Sequence, residues 1–340
     1  MANTTPSSSS KPLRERLRHA YLQHVIAPGL RLSGPGLTDR LARRVGRGVY
    51  RLGPPIRQIA MSNATRALGD IYSPASIRRI VEASFEHAAR FWGESLFIQQ
   101  RLAHQDWRKH VSLGSTGSDD AAADSFPATF ERIRSQGRGL ILTTAYLGNP
   151  AIAAVTWGRM LGRIHVVADF DNQPMIKAWR TDLEGLPCIE IIERSEALSV
   201  VPRILRNGGT IFTIGEHTRY GRKGVPVRWL GRDIRAYRTI GLLAARYDAV
   251  VLPIACTRQS GPFSFDMRIE QSIDPRALRQ EPDEIVRTMI ASLETAVMRA
   301  PEQYLWATWN AVAARASTER APTAAKDPRF ESGVGQTLRR

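Results

Sequence analysis

The chain has 340 residues, 43% of them hydrophobic, and carries 48 Lys and Arg against 32 Asp and Glu, a formal net charge of +16. That length supports a substantial core in one large domain or two smaller ones, and no run of about 18 uncharged apolar residues is present to cross a membrane. The basic excess points to nucleic acid, an anionic membrane or a phosphorylated lipid. Zinc spacings, RNP-like motifs and basic-zipper heptads are missing, so nucleic acid is the weakest of the three.

Residues 1–11 are rich in Ser, Thr and Pro and read as a disordered tail. They lack the basic-then-apolar order of a signal peptide, so a cytoplasmic location is expected. Residues 12–57 carry Arg14, Arg16, Arg18, Arg31, Arg40, Arg43, Arg44, Arg47, Arg51 and Arg57 against only Glu15 and Asp39. Leu13, Leu17, Tyr21, Val25 and Ile26, then Leu37, Leu41 and Val45, recur at nearly helical spacing. Such a basic amphipathic segment suits a membrane interface, the alternative being a solvated basic helix packed on the domain.

A helix over 63–68 closes at Gly69. Ser73-Pro74 opens a longer one whose broad face of Ile77, Val81, Phe85, Phe91 and Phe97 reads as core. His87 and Glu94, seven apart, fit a satisfied structural pair better than a site. Residues 112–125 form a polar connection and 130–138 a short helix. Next comes the most informative stretch. Leu140, Ile141 and Leu142 suit a strand covered on both faces, Gly148-Asn149-Pro150 break it, and 151–161 is helical.

Strands follow at 164–168, 189–192, 210–214 and 249–255, alternating with helices near 171–180, 200–205 and 240–246. This alternation argues for βαβ units and a mainly parallel sheet. His165 fits the core better than a site. Counting the 140–142 strand as the first of five, the fourth, 210–214, runs into Gly215-Glu216-His217-Thr218. A basic loop follows with Arg219, Arg222, Lys223, Arg228 and Arg232, suited to a phosphate or an acidic carrier protein. An antiparallel edge strand at 265–269, an amphipathic helix entered at Pro282-Asp283 and a disordered tail over 317–340 complete the chain. Cys188 and Cys256 match no ligand spacing and are expected as buried free thiols.

The core block Ala145-Tyr146-Leu147-Gly148-Asn149-Pro150-Ala151 resembles that of the bacterial lipid A acyltransferases, the lauroyl/myristoyl type within the lysophospholipid acyltransferase superfamily. There an apolar strand runs into Ala-His-x-Gly-Asn-x-Glu, whose His and acid are the catalytic pair. Here Tyr146 holds the His position and Ala151 the acid position, while Ala168 stands where relatives carry an Arg. Further matches are Asp171-Asn172 with Arg180, the acid Glu216, Gly224 to Gly231 against an acceptor block, and Pro301-Glu302-Gln303-Tyr304-Leu305-Trp306 against a terminal signature. The resemblance covers about 63–310.

It implies an α/β fold, a mainly parallel central sheet flanked by helices with a helical N-terminal part. The expected organisation is a basic helical part over 12–110 and a core over 126–316. It also implies a peripheral enzyme at the cytoplasmic face of the inner membrane, moving a fatty acyl chain from acyl-carrier protein or acyl-CoA to a lipid acceptor, without cofactor or metal. Tyr146, Glu216 and His217 are the catalytic candidates; Gly148, Asn149, Arg180 and the five basic residues of the 219–232 loop are the substrate-binding ones. A free tyrosine titrates near 10, so Tyr146 is an unusual base and His217 an alternative one. The competing expectation is a catalytically inactive member that binds lipid or a partner.

Overall fold

The computed structural model describes residues 26–102, 105–114, 126–169, 180, 183–216 and 224–307. The tails, residues 12–25 and the 171–179 helix of the sequence reading lie outside these, as do His217, Arg219, Arg222 and Lys223.

Three helices open the described chain: α1 (Ala27–Leu52), α2 (Pro54–Leu68) and α3 (Pro74–Ser95). Ser73 caps α3, its hydroxyl accepting from the Ser76 amide. Helix α1 kinks at Gly34, whose positive φ of 78° precedes Pro35. Its small residues Thr38, Ala42 and Gly46 face the protein, and a Cβ on Gly46 would meet the α3 backbone at 2.5 Å. Leu37, Leu41 and Val45 face outward. The apolar residues read from the sequence are therefore the exposed side of α1.

After the short α4 (Ile98–Arg101) and the strand β1 (Val111–Leu113) come α5 (Phe126–Ser135), β2 (Leu140–Thr144), α6 (Pro150–Leu161), β3 (Ile164–Ala168) and β4 (Ile189–Glu193). Then α7 (Ala197–Arg206), β5 (Thr210–Ile214), the β6 (Val225–Trp229) and β7 (Arg232–Ala236) hairpin, α8 (Thr239–Tyr247), β8 (Val250–Arg258), β9 (Phe265–Ile269) and α9 (Pro282–Arg299) follow.

Seven strands form one sheet in the order β1-β9-β8-β2-β5-β3-β4. All neighbours are parallel except β8 and β9. Strand β2 sits at the centre, all five residues buried. Its side chains alternate between two cores, Leu140 and Leu142 in one and Ile141 in the other, as a strand covered on both faces requires. Helix α6 belongs to the first core. Helices α8 and α9 belong to the second.

Two expectations change. Strand β9 is antiparallel but not an edge, because β1, hidden in what read as a polar connection, pairs beyond it; three residues are too few to show a period. The described part of the basic 219–232 segment is a hairpin, not a loop. Trp229 anchors it in the core, and Leu230 and Gly231 turn it at positive φ. Cys188 and Cys256 are free and buried, as expected.

Candidate functional site

Parallel strands carry their ligands at their carboxyl ends, and here the ends of β2 and β5 meet. The Gly215 amide donates to the Thr144 carbonyl at 2.8 Å. One residue beyond Gly215 and two beyond Thr144, the Tyr146 amide donates to Glu216 Oε1 at 3.2 Å. Tyr304 Oη donates to Glu216 Oε2 at 2.9 Å. Gly215 is required, since a Cβ there would lie 2.2 Å from the Thr143 hydroxyl.

The terminal signature explains how Tyr304 arrives. Leu305 donates its amide to the Tyr146 carbonyl at 3.1 Å, and Gly148 donates to Gln303 O at 2.9 Å. The Gln303 side chain accepts from the Arg258 amide at 2.7 Å and donates to the Arg258 carbonyl at 3.0 Å. The segment 301–306 is thus a strap across the ends of β2 and β8, delivering a phenol to the carboxylate. Tyr304 was legible only as a signature residue; its contact with Glu216 spans 88 positions.

Burial raises the Glu216 carboxyl to about 7, against the hydrogen bonds from Tyr304 and the Tyr146 amide. Burial and the Glu216 charge push the Tyr146 phenol well above its ordinary value. The direction is opposite to what a tyrosine base needs. Glu216 has the acidity range of a general base at neutral pH.

Gly148 and Asn149 build the turn. Gly148 has φ of +59°, and a Cβ on it would sit 1.9 Å from the Cys256 carbonyl oxygen. Gly148→Ala is expected to destabilise by at least about 2 kcal/mol, because left-handed backbone alone costs an L residue about 1–2 kcal/mol and the overlap adds to it; denaturant unfolding measures the loss. Asn149 caps α6, its Oδ1 accepting from the Ile152 amide at 3.2 Å, and its Nδ2 donates to Glu94 at 2.9 Å. Both ends of that amide are engaged inside the fold.

Glu94 in turn receives Arg258 through two nitrogens, Nη2 at 2.8 Å. Arg258 Nη1 pairs with His87 Nδ1 at 2.9 Å. Burial, then the Arg258 charge, lowers the His87 pKa well below its ordinary value, so Nδ1 is the acceptor on a neutral ring. His87 and Glu94 are a structural set joined through Arg258.

The basic candidates divide. Arg180 binds Glu184 at 2.6 Å and Glu193 at 2.8 Å. Arg232 donates to Asn63 at 2.9 Å, and Asn63 donates to the Trp306 carbonyl at 2.8 Å. Arg228 is exposed on the hairpin.

Beside the strand ends lies a cavity of about 140 Å³, mostly apolar, between α7, α8 and strands β3 and β5. Val201, Ile211, Ile240 and Leu243 line its body. Gly215, the residue before Glu216, is also in its wall, as are Asp169 and Arg194, whose charges act on the Tyr146 phenol. The Arg194 guanidinium stacks over the Tyr237 ring at 5.1 Å. None of these four cavity residues, Asp169, Arg194, Tyr237 or Gly215, carried a sequence signal of its own.

A search of curated proteins finds no match. The model of the bacterial lipid A biosynthesis acyltransferases matches residues 8–308. That span covers the helical layer, the whole sheet and the strap, and the chain therefore belongs to the bacterial lipid A biosynthesis acyltransferase family.

Proposed function

We propose that this protein transfers a fatty acyl chain from an acyl-carrier-protein or coenzyme A thioester to a hydroxyl of a lipid acceptor, with Glu216 as the general base. The observation that carries the reading is the apolar cavity ending beside a buried carboxylate at the sheet's carboxyl edge. The cavity compares with an engineered apolar cavity of about 150 Å³ that binds benzene, room for one segment of an alkyl chain. The acceptor hydroxyl oxygen attacks the thioester carbonyl while Glu216 takes its proton. The C–S bond then breaks, and Glu216 returns the proton to the leaving thiolate. Tyr304 and the Tyr146 amide hold the carboxylate in place throughout. Tyr146 fills the position of the family His without serving as a base.

The test incubates purified protein with both thioesters and a lysate lipid extract, and follows acylated lipids by mass spectrometry. Labelled product from either donor supports the reading. A second reading, an inactive lipid-binding member, is favoured by the suppressed acidity of Tyr146 and the fully buried Ala151 at the acid position. Fatty-acid binding in the cavity with no turnover from either donor would establish that one instead. Filling the cavity separates chain lengths: Leu198→Trp is expected to shift turnover toward shorter acyl donors, measured across a series of increasing length.

A further inference from the structure

The transfer step leaves one charge without a partner. When the acceptor oxygen bonds to the thioester carbon, the π pair of the C=O moves onto oxygen and an oxyanion forms. The donors gathered at the site are already engaged, since the Tyr146 amide and the Tyr304 hydroxyl both point at Glu216.

The cavity carries a group of the right kind. Among the described residues that line it, Arg194 is the only cation, set in a wall that is mostly apolar. The sheet fixes its place. Ala168 ends β3 opposite Glu193 of β4, and one residue on, the Arg194 amide donates to the Ala168 carbonyl at 3.0 Å. This is the carboxyl edge, which also carries Tyr146 and Glu216. The Arg194 side chain is half-buried. Its guanidinium stacks on Tyr237 at 5.1 Å, a contact that orients the planar fork without using its N–H groups. Glu193, its neighbour in sequence, is taken by Arg180 at 2.8 Å, and Arg194 makes no ion pair among the described residues. The Tyr146 phenol feels both Arg194 and Glu216, so cation and carboxylate flank one space.

We propose that Arg194 is the anion-holding group of this cavity, its guanidinium donating to the negative oxygen of a ligand whose chain fills the apolar body. In acyl transfer that oxygen is the former thioester carbonyl oxygen. Its lone pair re-forms the C=O as the C–S bond breaks, so Arg194 releases a neutral ester while Glu216 returns its proton to the thiolate. This role in transfer rests on the acyltransferase reading; the hold on a negative oxygen does not. Asp169 shares the wall and offsets part of the charge, so the preference for an anionic head is a moderate one.

Two measurements on the full chain test this. The first is turnover of a thioester with a lipid extract. Arg194→Gln should lower kcat about 10²–10³-fold, the cost of removing one oxyanion donor, with KM nearly unchanged. Arg194→Lys keeps the charge without the fork and should fall between. Methylguanidinium should restore part of the rate of Arg194→Ala, and tetramethylammonium at equal concentration should not. A merely structural arginine would give no such difference. The second is calorimetric binding of octanoate against octanol near pH 6, where Glu216 is largely protonated. Wild type should prefer octanoate by about tenfold, the weight of a hydrogen bond to a charged group, and Arg194→Gln should lose the preference. Arg203→Gln removes a charge from the exposed side of α7 and should leave both readouts unchanged. Circular dichroism melts check that each variant folds. Wild-type turnover by Arg194→Gln overturns the proposal, as does an octanoate preference that is missing from wild type or survives the substitution. If wild type turns over no thioester, the acyltransferase reading falls, and the octanoate preference still decides whether Arg194 holds the anion.

Discussion

Glu216→Gln is expected to lower the rate of acyl transfer by about 10²–10⁴-fold, the contribution of a positioned general base, while making the protein more stable in mild alkali. The two effects share one cause. Burial raises the carboxyl from an ordinary 4.5 to about 7. Between those values the folded state binds more protons than the unfolded one, so wild-type stability falls as pH rises through the window and is level above it. The full gap corresponds to about 3 kcal/mol at most. Gln carries no charge to desolvate, can accept from the Tyr146 amide with its oxygen, and can donate its NH₂ to Tyr304. The melting temperatures of variant and wild type should therefore coincide near pH 5 and separate toward pH 8, the variant melting higher. Wild-type turnover should rise with pH to a plateau above about 7 as Glu216 ionises, and the residual rate of the variant should lack that step. Tyr146→Phe keeps the backbone amide that faces Glu216, so most activity should survive it. A Tyr146→Phe enzyme as slow as Glu216→Gln would move the base to the phenol.

How much of this was readable beforehand follows from the range of each signal. The β2 run from Leu140 to Leu142 and the alternation of strands and helices are local, and they placed the parallel sheet. The turn at Gly148-Asn149 was legible for the same reason, because positive φ and a helix cap are properties of a few consecutive residues. What Asn149 does with its other end was not legible, since Glu94 lies 55 positions away. The contact of Tyr304 with Glu216 was hidden likewise. The apolar period of α1 was visible, but a period does not say which side meets the protein. That was decided by Gly46 and Ala42, which let α3 approach closely, and a glycine in a basic helix reads as a weak point rather than as a contact. Strand β1 escaped because its pairing with β9 is the only reason it is a strand.

Glu94→Gln is expected to cost about 3–5 kcal/mol in stability, the effect of leaving a buried charge without its counter-ion. The side chains of Glu94 and Arg258 are 9% and 2% exposed, so water cannot replace the lost partner. The surroundings offer no substitute. His87 is neutral and accepts from the same guanidinium, and Arg90 adds a like charge nearby. Arg258→Met leaves the opposite orphan, a buried carboxylate that still accepts from Asn149, and should cost a similar amount. Combining Glu94→Leu with Arg258→Met removes both charges. That double variant should be far more stable than either single change predicts, because desolvation is relieved on both sides. It should not regain turnover in proportion. Asn149 would have lost its acceptor at Glu94, and with it the tether of the Gly148-Asn149 turn that sets Tyr146 against Glu216. Urea titrations of wild type, Glu94→Leu, Arg258→Met and the double variant close the thermodynamic cycle, and the product assay run beside them reads the turn. A Glu94→Gln protein within about 1 kcal/mol of wild type would mean that this pair adds little to the fold, as exposed pairs do, and that the turn is held by the Asn149 cap and the Gln303 strap alone.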